Sequence, residues 1–549
     1  MKKVLVLLAG IMVMASAAKY LVRVNDLNNP NFLVIKIVDG YSLILADDSD
    51  IDRLVQQLVP YRILDVDPEP NVYLLVYPFG ETMENISRFG TVLDYYVDCV
   101  LLRTTEDEIP NLNTLKVELD RVFLRPINVY SPVGAPDMKY NLAPDTLIQK
   151  MVAAVSQDSI QASILRMQRM YTRYATTDSN KIVLVNWIRS RLMAYGYDSV
   201  YFENFDASYG PNVIAIKRGE VYTNWNRYCV IDGHIDDVPS SGYAPGADDN
   251  ASGTTAMLEA ARVMRDYNFE NTIRFIGFNA EEQGLIGSYY NATNAHNMGD
   301  TILGVLNFDM IGYVTAVNRD TMHAHYSTAV PGCSLFVCQF FQAVADTYTQ
   351  LKIRRIRNTG TSGGSDHASY WENGYKALCG IERVLTPMYH TTGDTIGPYM
   401  YINCGVNNLP FATKVIQTGV AALAKLAVPI HEVTVAEDQP GDMIKTLSLQ
   451  ISPNPFSKSV QIQIQFAIRN PQSAMSLMIY NASGRLVKSF NLPSAYSPGL
   501  APRSGAGLVP STITWDGTDE IGRSMPAGVY FVRLEIGEQK ITQKTVRLE

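Results

Sequence analysis

The chain has 549 residues, and 47% of them are apolar, a composition typical of globular domains and not of a disordered protein. At this length about two to four domains are expected, because a single hydrophobic core stops growing well below this size. The formal net charge is −8 and no cluster of lysine and arginine occurs, which excludes the basic surface of a nucleic-acid-binding protein.

The first 18 residues have the pattern of a secretion signal. Lys2 and Lys3 precede the apolar stretch VLVLLAGIMVM, and small residues follow near Ala17 and Ala18. This stretch is too short for a comfortable membrane span, and cleavage after small residues is typical of secretory signals. We therefore predict a signal peptide over residues 1–18, no transmembrane segment, and a secreted protein.

Residues 19–130 predict a small α+β domain. Strand-like runs such as FLVIKIV, YSLILA and VYLLVYPF surround one helical pattern, IDRLVQQLV, which Asp50 precedes. A stretch rich in proline, glycine and aspartate, SPVGAPDMKYNLAPD, then predicts a linker. This domain is either a propeptide that blocks a site until it is removed or a retained accessory domain.

Residues 144–428 alternate helical and strand patterns. Apolar strand runs occur in RYCVIDG, TIRFIGFN and ILGVLNFD, and helical segments such as SGTTAMLEAARVMRDY lie between several of them. This alternation predicts an α/β fold with a mostly parallel central sheet flanked by helices.

Potential metal ligands follow the strands of this predicted sheet. Glu281 and Glu282 come directly after an apolar strand, and adjacent carboxylates repel each other unless a cation or a shared proton lies between them. Each motif alone is weak, since acids are common at helix starts and aspartate-rich turns are common in loops. Ligands of α/β sheets, however, bind beyond the carboxyl ends of the strands, so all of these side chains are expected at one rim. The other candidates are His234, Asp249, Asp309 and His390.

Two imidazoles and three carboxylates are too many ligands for one catalytic zinc, which keeps about three protein ligands and an open position. They fit two zinc ions, each with one histidine and one carboxylate, and a third carboxylate shared between them. Two such ions about 3.5–4 Å apart can activate water and polarise a carbonyl. The remaining glutamate is then free to act as a general base.

Six ordered motifs, HIDD, GADDNASG, EEQGLIGS, NFDMIG, SDHASY and YHTTGDT, resemble the M28 family of zinc aminopeptidases, which contains secreted bacterial leucine-type enzymes. The resemblance covers about 285 residues and implies a zinc-peptidase fold, two zinc ions and peptide substrates. It implies that His234 and Asp309 hold one zinc, that Glu282 and His390 hold the other, that Asp249 bridges both, that Glu281 is the general base, that Asp236 orients His234, and that Tyr389 stabilises the oxyanion.

Some assignments stay open. Either Asp248 or Asp249 could bridge, although the family pattern places the ligand directly before Asn250. Asp366 and His367 either line the site or pack a helix start. Met310 and Ile311 either line an apolar pocket for the first substrate side chain or simply pack. The His-X-His pattern of His323 and His325 lies outside the family motifs, so an exposed strand is the better interpretation.

The favoured function is that of a secreted metallo-aminopeptidase. Glutaminyl cyclase-like and carboxypeptidase members of the same family are the alternatives within it, and a non-catalytic binding protein on the same fold is the alternative outside it. The complete ligand set argues against the last.

Residues 445–549 change to short strands and turns, which predicts an immunoglobulin-like β-sandwich with a long loop over residues 494–511. The block resembles FlgD-like or type IX secretion sorting domains of exported bacterial enzymes, which implies export machinery or cell-surface attachment as a partner. Tyr480, Trp515, Tyr530 and Phe531 are predicted core aromatics. The six cysteines of the whole chain either form disulfides or are free and buried.

Overall fold

The structure, a computed structural model, describes residues 20–25, 32–128, 142–197, 199–222, 226–239, 242–317, 319–329, 335–431, 447–466, 475–491, 509–520, 522–536 and 539–548. The chain divides into two compact units, Met1–Glu432 and Val433–Glu549. The predicted signal peptide and most of the predicted linker lie outside the described residues. Among the described helices, none combines the length and apolarity needed to cross a bilayer.

The N-terminal region (residues 20–25 and 32–128) contains two four-stranded antiparallel sheets, of order β2-β3-β1-β4 and β6-β7-β5-β8. Helix α1 begins at Asp48, earlier than the apolar pattern indicates, because Asp47 and Asp50 form a reciprocal capping box there. The elements are β1 (Tyr20–Asn25), β2 (Leu33–Val38), β3 (Tyr41–Ala46), α1 (Asp48–Gln56), β4 (Tyr61–Val66), β5 (Val72–Pro78), α2 (Met83–Ile86), a 3₁₀ turn (Ser87–Phe89), β6 (Thr91–Tyr95), β7 (Val100–Thr104), a 3₁₀ turn (Glu106–Glu108), α3 (Ile109–Leu112) and β8 (Val117–Arg121).

The central region (described residues from 142 to 431) is built on one eight-stranded sheet of order β15-β14-β16-β13-β11-β12-β10-β9. Its four central strands, β16, β13, β11 and β12, run parallel, whereas β10 pairs antiparallel with β12 and β9, and β14 pairs antiparallel with β16. The strands are β9 (Ser199–Glu203), β10 (Asn212–Lys217), β11 (Arg227–His234), β12 (Thr272–Phe278), β13 (Thr301–Phe308), β14 (Thr321–Ser327), β15 (Lys352–Asn358) and β16 (Ala377–Glu382).

Helices cover both faces of this sheet, which explains why its central strands are apolar on both sides. One apolar core lies under α7 and α11, and the other lies under α8 and α10. The expected α/β fold with a helix-flanked sheet is therefore confirmed, with antiparallel strands at both edges of the sheet. The helices are α4 (Thr146–Ala154), α5 (Gln157–Gln168), a π-helical turn (Ser179–Leu184) leading into α6 (Val185–Ala194), α7 (Ala251–Met264), α8 (Ile286–Asn297), α9 (Leu335–Tyr348), α10 (His367–Glu372) and α11 (Leu409–Ala427).

The C-terminal region (described residues from 447 to 548) has two antiparallel sheets, of order β17-β18-β21 and β20-β19-β22-β23, which share one apolar core. Trp515 and Tyr530 are buried in this core, while Tyr480 and Phe531 are only half-buried. The strands are β17 (Leu447–Ser452), β18 (Val460–Phe466), β19 (Met475–Asn481), β20 (Leu486–Asn491), β21 (Val509–Trp515), β22 (Gly528–Ile536) and β23 (Gln539–Arg547). Most of the predicted loop over residues 494–511 lies outside the described residues.

Cys99, Cys229, Cys379 and Cys404 are free and buried, which favours the second of the two alternatives for them. Cys333 lies outside the described residues.

Candidate metal centre

The carboxyl ends of three neighbouring parallel strands meet at one rim of the central sheet. His234 is the last residue of β11, Glu281 and Glu282 lie just beyond the end of β12, and Asp309 follows β13. His390 lies in the loop after β16, the next strand along. The structure therefore brings together the strand-end residues that the sequence singled out.

Two glycines leave the space that lets the start of helix α7 lie close to this rim. A Cβ atom on Gly233, in β11, would lie 2.7 Å from the backbone of Gly253, in the first turn of α7. Asn250 caps the helix, because its side chain accepts a hydrogen bond from Gly253 N at 2.7 Å and donates one to the carbonyl of Phe308 at 3.0 Å. Asp249, directly before this cap, is thereby placed between the ends of β11 and β13.

The Asp249 carboxylate lies between the two imidazoles. Its Oδ1 is 3.2 Å from Nε2 of His234, and its Oδ2 is 3.1 Å from Nε2 of His390. One carboxylate that turns a different oxygen toward each histidine is the arrangement needed to bridge two cations.

The remaining acidic residues divide between the two histidines. Asp309 Oδ1 is 3.4 Å from Nε2 of His234, and Glu282 Oε2 is 3.1 Å from Nε2 of His390. Glu281 Oε2 is farther from His234 Nε2, at 4.0 Å. His234, Asp309 and Asp249 thus form one compact set of potential ligand atoms. Glu282 and His390 belong to another set.

Two further aspartates hold the backbone around the site. The carboxylate of Asp236 accepts hydrogen bonds from the backbone N–H groups of Glu281 and Glu282, each at 3.2 Å, and its Oδ1 lies 3.7 Å from Nδ1 of His234. Asp394 accepts hydrogen bonds from the N–H groups of residues 248 and 249, at 2.9 and 3.0 Å. Asp236 therefore contacts both the histidine and the two glutamates, a wider contact than the sequence indicated.

The site buries more acidic side chains than histidines, so its carboxylates repel one another. Burial alone would lower the pKa of His234, but the carboxylates of Glu281 and Asp309 raise it well above its usual value. The same balance raises the pKa of His390, with Glu282 as the strongest opposing charge. Burial and a neighbouring carboxylate also raise the pKa of Glu281 well above its usual value. A divalent cation would relieve this repulsion.

The residues present fit a zinc site. Both carboxyl oxygens of Glu281 are buried and have no hydrogen-bond partner within the described residues, as is also true of Nδ1 of His390. Buried polar atoms normally find partners, so unpaired ones clustered here point to a group that the protein holds. Imidazole and carboxylate donors suit zinc.

Tyr389 lies at the edge of the site, stacked on the His390 ring with centroids 3.7 Å apart. Its hydroxyl donates a hydrogen bond of 2.8 Å to Oε2 of Glu118, a residue of strand β8 in the N-terminal region. Glu118 also forms a compact ligand set with Glu282 and His390. Glu118 was not predicted as a site residue, because in Val117–Arg121 it occupies what looks like the polar face of an ordinary half-exposed strand.

The residues whose roles the sequence left open lie in different parts of the site and its surroundings. Asp248 accepts a hydrogen bond from Gly312 N at 2.8 Å and belongs to none of the compact ligand sets of the described residues. His367 is the first residue of helix α10. Its ring contacts Asn307 and packs edge-on against Trp371.

Met310 lines a cavity of about 540 Å³ next to the site, whereas Ile311 is part of the hydrophobic core. His323 and His325 lie on a strand, as predicted, but they are half-buried at the wall of this cavity and not exposed.

Comparisons with known proteins find relatives of the central region. Residues 212–405 match the model of Peptidase family M28. The chain is 28% identical over 270 residues to leucine aminopeptidase 1 of Trichophyton equinum, an alignment that covers 45% of this chain and 70% of the relative. A similar protein from Coccidioides posadasii, also named leucine aminopeptidase 1, is 28% identical over 271 residues.

Among solved structures, the LapA aminopeptidase of Legionella pneumophila superposes with a TM-score of 0.52 at 21% identity, covering 66% of this chain and 99% of LapA. This likeness supports the fold. Together with the family match, the comparisons support a hydrolase of the exopeptidase class, of the M28 aminopeptidase kind.

Proposed function

We propose that the protein is a secreted metallo-aminopeptidase, which releases N-terminal residues from peptides with two zinc ions and with Glu281 as the general base. The observation that carries this proposal is the position of Asp249, whose two carboxylate oxygens face the two histidines. In this proposal His234 and Asp309 hold one zinc, and Glu282 and His390 hold the other. The geometry around Asp249 supports that division.

When bound, the zinc ions supply Lewis acidity, which polarises the scissile carbonyl and makes a water molecule acidic near neutral pH. The carboxylate of Glu281 takes the proton of the attacking water and later passes it to the departing amine. Its two unpaired oxygens, close to His234, support this role. The hydroxyl of Tyr389 donates a hydrogen bond to the oxyanion that develops on the substrate carbonyl.

Asp236 acts through other residues and not on the substrate. Its carboxylate joins the Glu281–Glu282 backbone to His234, and partners of this kind fix the orientation of a ligating imidazole.

The reaction is tested with a panel of aminoacyl-coumarin substrates, with and without a chelator. We expect release of coumarin that is lost on chelation and restored by zinc. Full activity in the chelator, or full activity of Glu281→Ala, would contradict the proposal. A peptide with N-terminal glutamine separates cyclisation from release of a free amino acid, and peptides blocked at either end separate aminopeptidase from carboxypeptidase action.

Export is part of the same proposal. The signal-like residues 1–18 and the sorting-domain motifs of residues 445–549 support a secreted or surface-attached protein, with residues 19–130 and 144–428 as its accessory and peptidase domains. Mass spectrometry of the exported protein tests it: we expect the mature chain to begin near residue 19 or later.

A further inference from the structure

One residue of the N-terminal region lies inside the candidate metal centre. Strand β8 places Val117 and Leu119 in the core of its own region, so that Glu118, between them, faces the central region. The Glu118 side chain is buried, and one of its carboxylate oxygens lies within 4.8 Å of ligand atoms of Glu282 and His390. A buried carboxylate among metal ligands is costly unless it binds a cation or a proton.

Glu118 brings into the candidate site the chemical group that a reaction product would carry. The carboxylate of a released amino acid and the carboxylate of a glutamate side chain are the same chemical group. Glu118 Oε2 accepts the Tyr389 hydroxyl at 2.8 Å, and that hydroxyl is the donor proposed for the oxyanion. The same carboxylate lies within 4.8 Å of ligand atoms of Glu282 and His390, where a catalytic zinc, if bound, would need an open position.

Contacts between the N-terminal region and the central region hold Glu118 in this position. Asn113 Nδ2 donates a hydrogen bond of 2.9 Å to the carbonyl of Glu282 itself. Lys36, buried in strand β2, forms ion pairs with Asp120, two residues after Glu118, and with Glu372 of helix α10. These contacts join the N-terminal region to the metal-ligand loop and to a helix of the central region.

Aromatic contacts close the same face. Phe123 stacks on Tyr289 with ring centroids 3.6 Å apart, and Phe79 packs edge-on against Tyr389 at 5.3 Å. The cavity of about 540 Å³ beside the site is walled partly by Phe79 and Glu118. The space left for a substrate is therefore limited by the N-terminal region.

We propose that Glu118 is a ligand of the ion held by Glu282 and His390 in the intact chain, so that the N-terminal region is a built-in competitive inhibitor of the site. This rests on the proposed two-zinc function. Removal or displacement of the N-terminal region restores the open position and frees the Tyr389 hydroxyl.

The test uses the intact full-length chain and the variant Glu118→Gln, whose amide keeps the side-chain shape but is a poor zinc ligand. The first readout is zinc affinity, measured by titrating metal-depleted protein against a chelating indicator. We expect the weaker of the two zinc sites to lose affinity by about 10–100-fold. The second readout is kcat/KM at saturating zinc, which we expect to rise by about tenfold or more, because the covered state no longer competes with substrate.

Glu84→Gln is the matched control, since Glu84 lies in the same region with its side chain 84% exposed, and it should change neither readout. Glu118→Ala, with thermal unfolding of every variant, separates the effect from misfolding. Unchanged zinc affinity, or a kcat/KM that stays constant or falls with a raised KM, overturns the proposal. A raised KM would mean that Glu118 binds the substrate amine instead.

Failure of the proposed function looks different. In that case no variant releases amino acid at saturating zinc, yet the zinc titration of Glu118→Gln still decides whether Glu118 is a ligand. Active wild-type protein with an unaltered Glu118→Gln variant refutes only the inhibitory contact.

Discussion

At the scale of single residues, two adjacent carboxylates differ in their contacts. Glu281 and Glu282 are neighbours in sequence, but Glu282 is in direct contact with His390 whereas Glu281 stands 4.0 Å from His234 with both oxygens unpaired. Because successive side chains leave the backbone in different directions, we propose that Glu282 holds an ion and that Glu281 moves a proton.

Replacement of the proposed base separates these roles. Glu281→Gln should lower kcat by about 10²–10⁴-fold, the usual contribution of a general base, while the protein keeps its zinc. The measurement is kcat on an aminoacyl-coumarin together with zinc content. Glu220→Gln, on the surface of the same region, is the control and should leave both unchanged. A Glu281→Gln enzyme with nearly full kcat would refute the assignment.

Asp236 should act on metal binding more than on the chemical step. Asp236→Asn removes a charge that two backbone N–H groups and the His234 ring share, so zinc affinity should fall by about 10–100-fold. Excess zinc should restore most of kcat, which a direct role in proton transfer would not allow. Metal titration and kcat at rising zinc concentration provide the check.

At the scale of elements, the site is made by ends of strands and by the start of one helix. The sequence was sufficient to predict the strand-end residues, because apolar runs long enough to be buried strands end in charged residues that have no reason to be buried. It was also sufficient for the α/β class. The residue that completes the site from outside could not be predicted, since Glu118 meets Tyr389 across a separation of 271 positions.

The half-burial of His323 and His325 was missed for a similar reason. A strand that alternates polar and apolar residues indicates one solvent face, but here that face lines a cavity between regions that are distant in sequence. Only the packing of those regions decides which polar faces stay in water.

The cap of helix α7 should matter for stability and for metal binding together. Asn250→Ala removes the hydrogen bond to Gly253 N and the one to Phe308 O, which should cost about 1–2 kcal/mol of unfolding free energy. Because Asp249 directly precedes this cap, zinc affinity should fall as well. Asn186→Ala, on the exposed face of helix α6, is the control. Chemical denaturation and zinc titration test both effects, and an unchanged zinc affinity would contradict the positioning argument.

Strand β14, which lies next to the edge strand β15, is expected to be sensitive to acid. Burial, with the nearby Arg354 and Arg383, lowers the pKa of His323 to about 4, and burial with the neighbouring histidine lowers that of His325 to about 4. The unfolded chain takes up these protons near pH 6.5, while the folded chain does so only near the lowered values, so stability should fall as pH drops from about 6.5 to 4.

Thermal unfolding at pH 7 and pH 4.5 tests this pH dependence. A His323→Asn/His325→Asn double variant should show a smaller loss of Tm on acidification than the wild type. An equal loss would mean that other groups govern the acid response.

At the scale of the whole molecule, the first compact unit joins a β-rich N-terminal region to the peptidase-like central region through a buried ion cluster. Burial alone would lower the pKa of Lys36, but Asp120 and Glu372 raise it above its usual value, while burial raises the pKa of Glu372 to about 7. Such a cluster is costly to form and more costly to break, because a lone buried charge remains.

Lys36→Ala should therefore loosen this docking. It leaves two buried carboxylates without a counter-charge and should cost about 3–5 kcal/mol, seen as a lower Tm and faster proteolysis of the N-terminal region. Lys116→Ala is the control, because Lys116 also reaches the central region but is only half-buried and donates one exposed hydrogen bond, to the carbonyl of Pro387. Its loss should cost about 1 kcal/mol or less. Equal Tm values for the two variants would refute a special role for the buried cluster.

In the proposed centre two zinc ions share Asp249. Anomalous diffraction at the zinc edge, from crystals of the zinc-loaded protein, tests this arrangement. We predict two peaks, one in contact with His234 and Asp309 and one in contact with Glu282 and His390, with the Asp249 carboxylate between them. A single peak, or none at these side chains, would contradict the account.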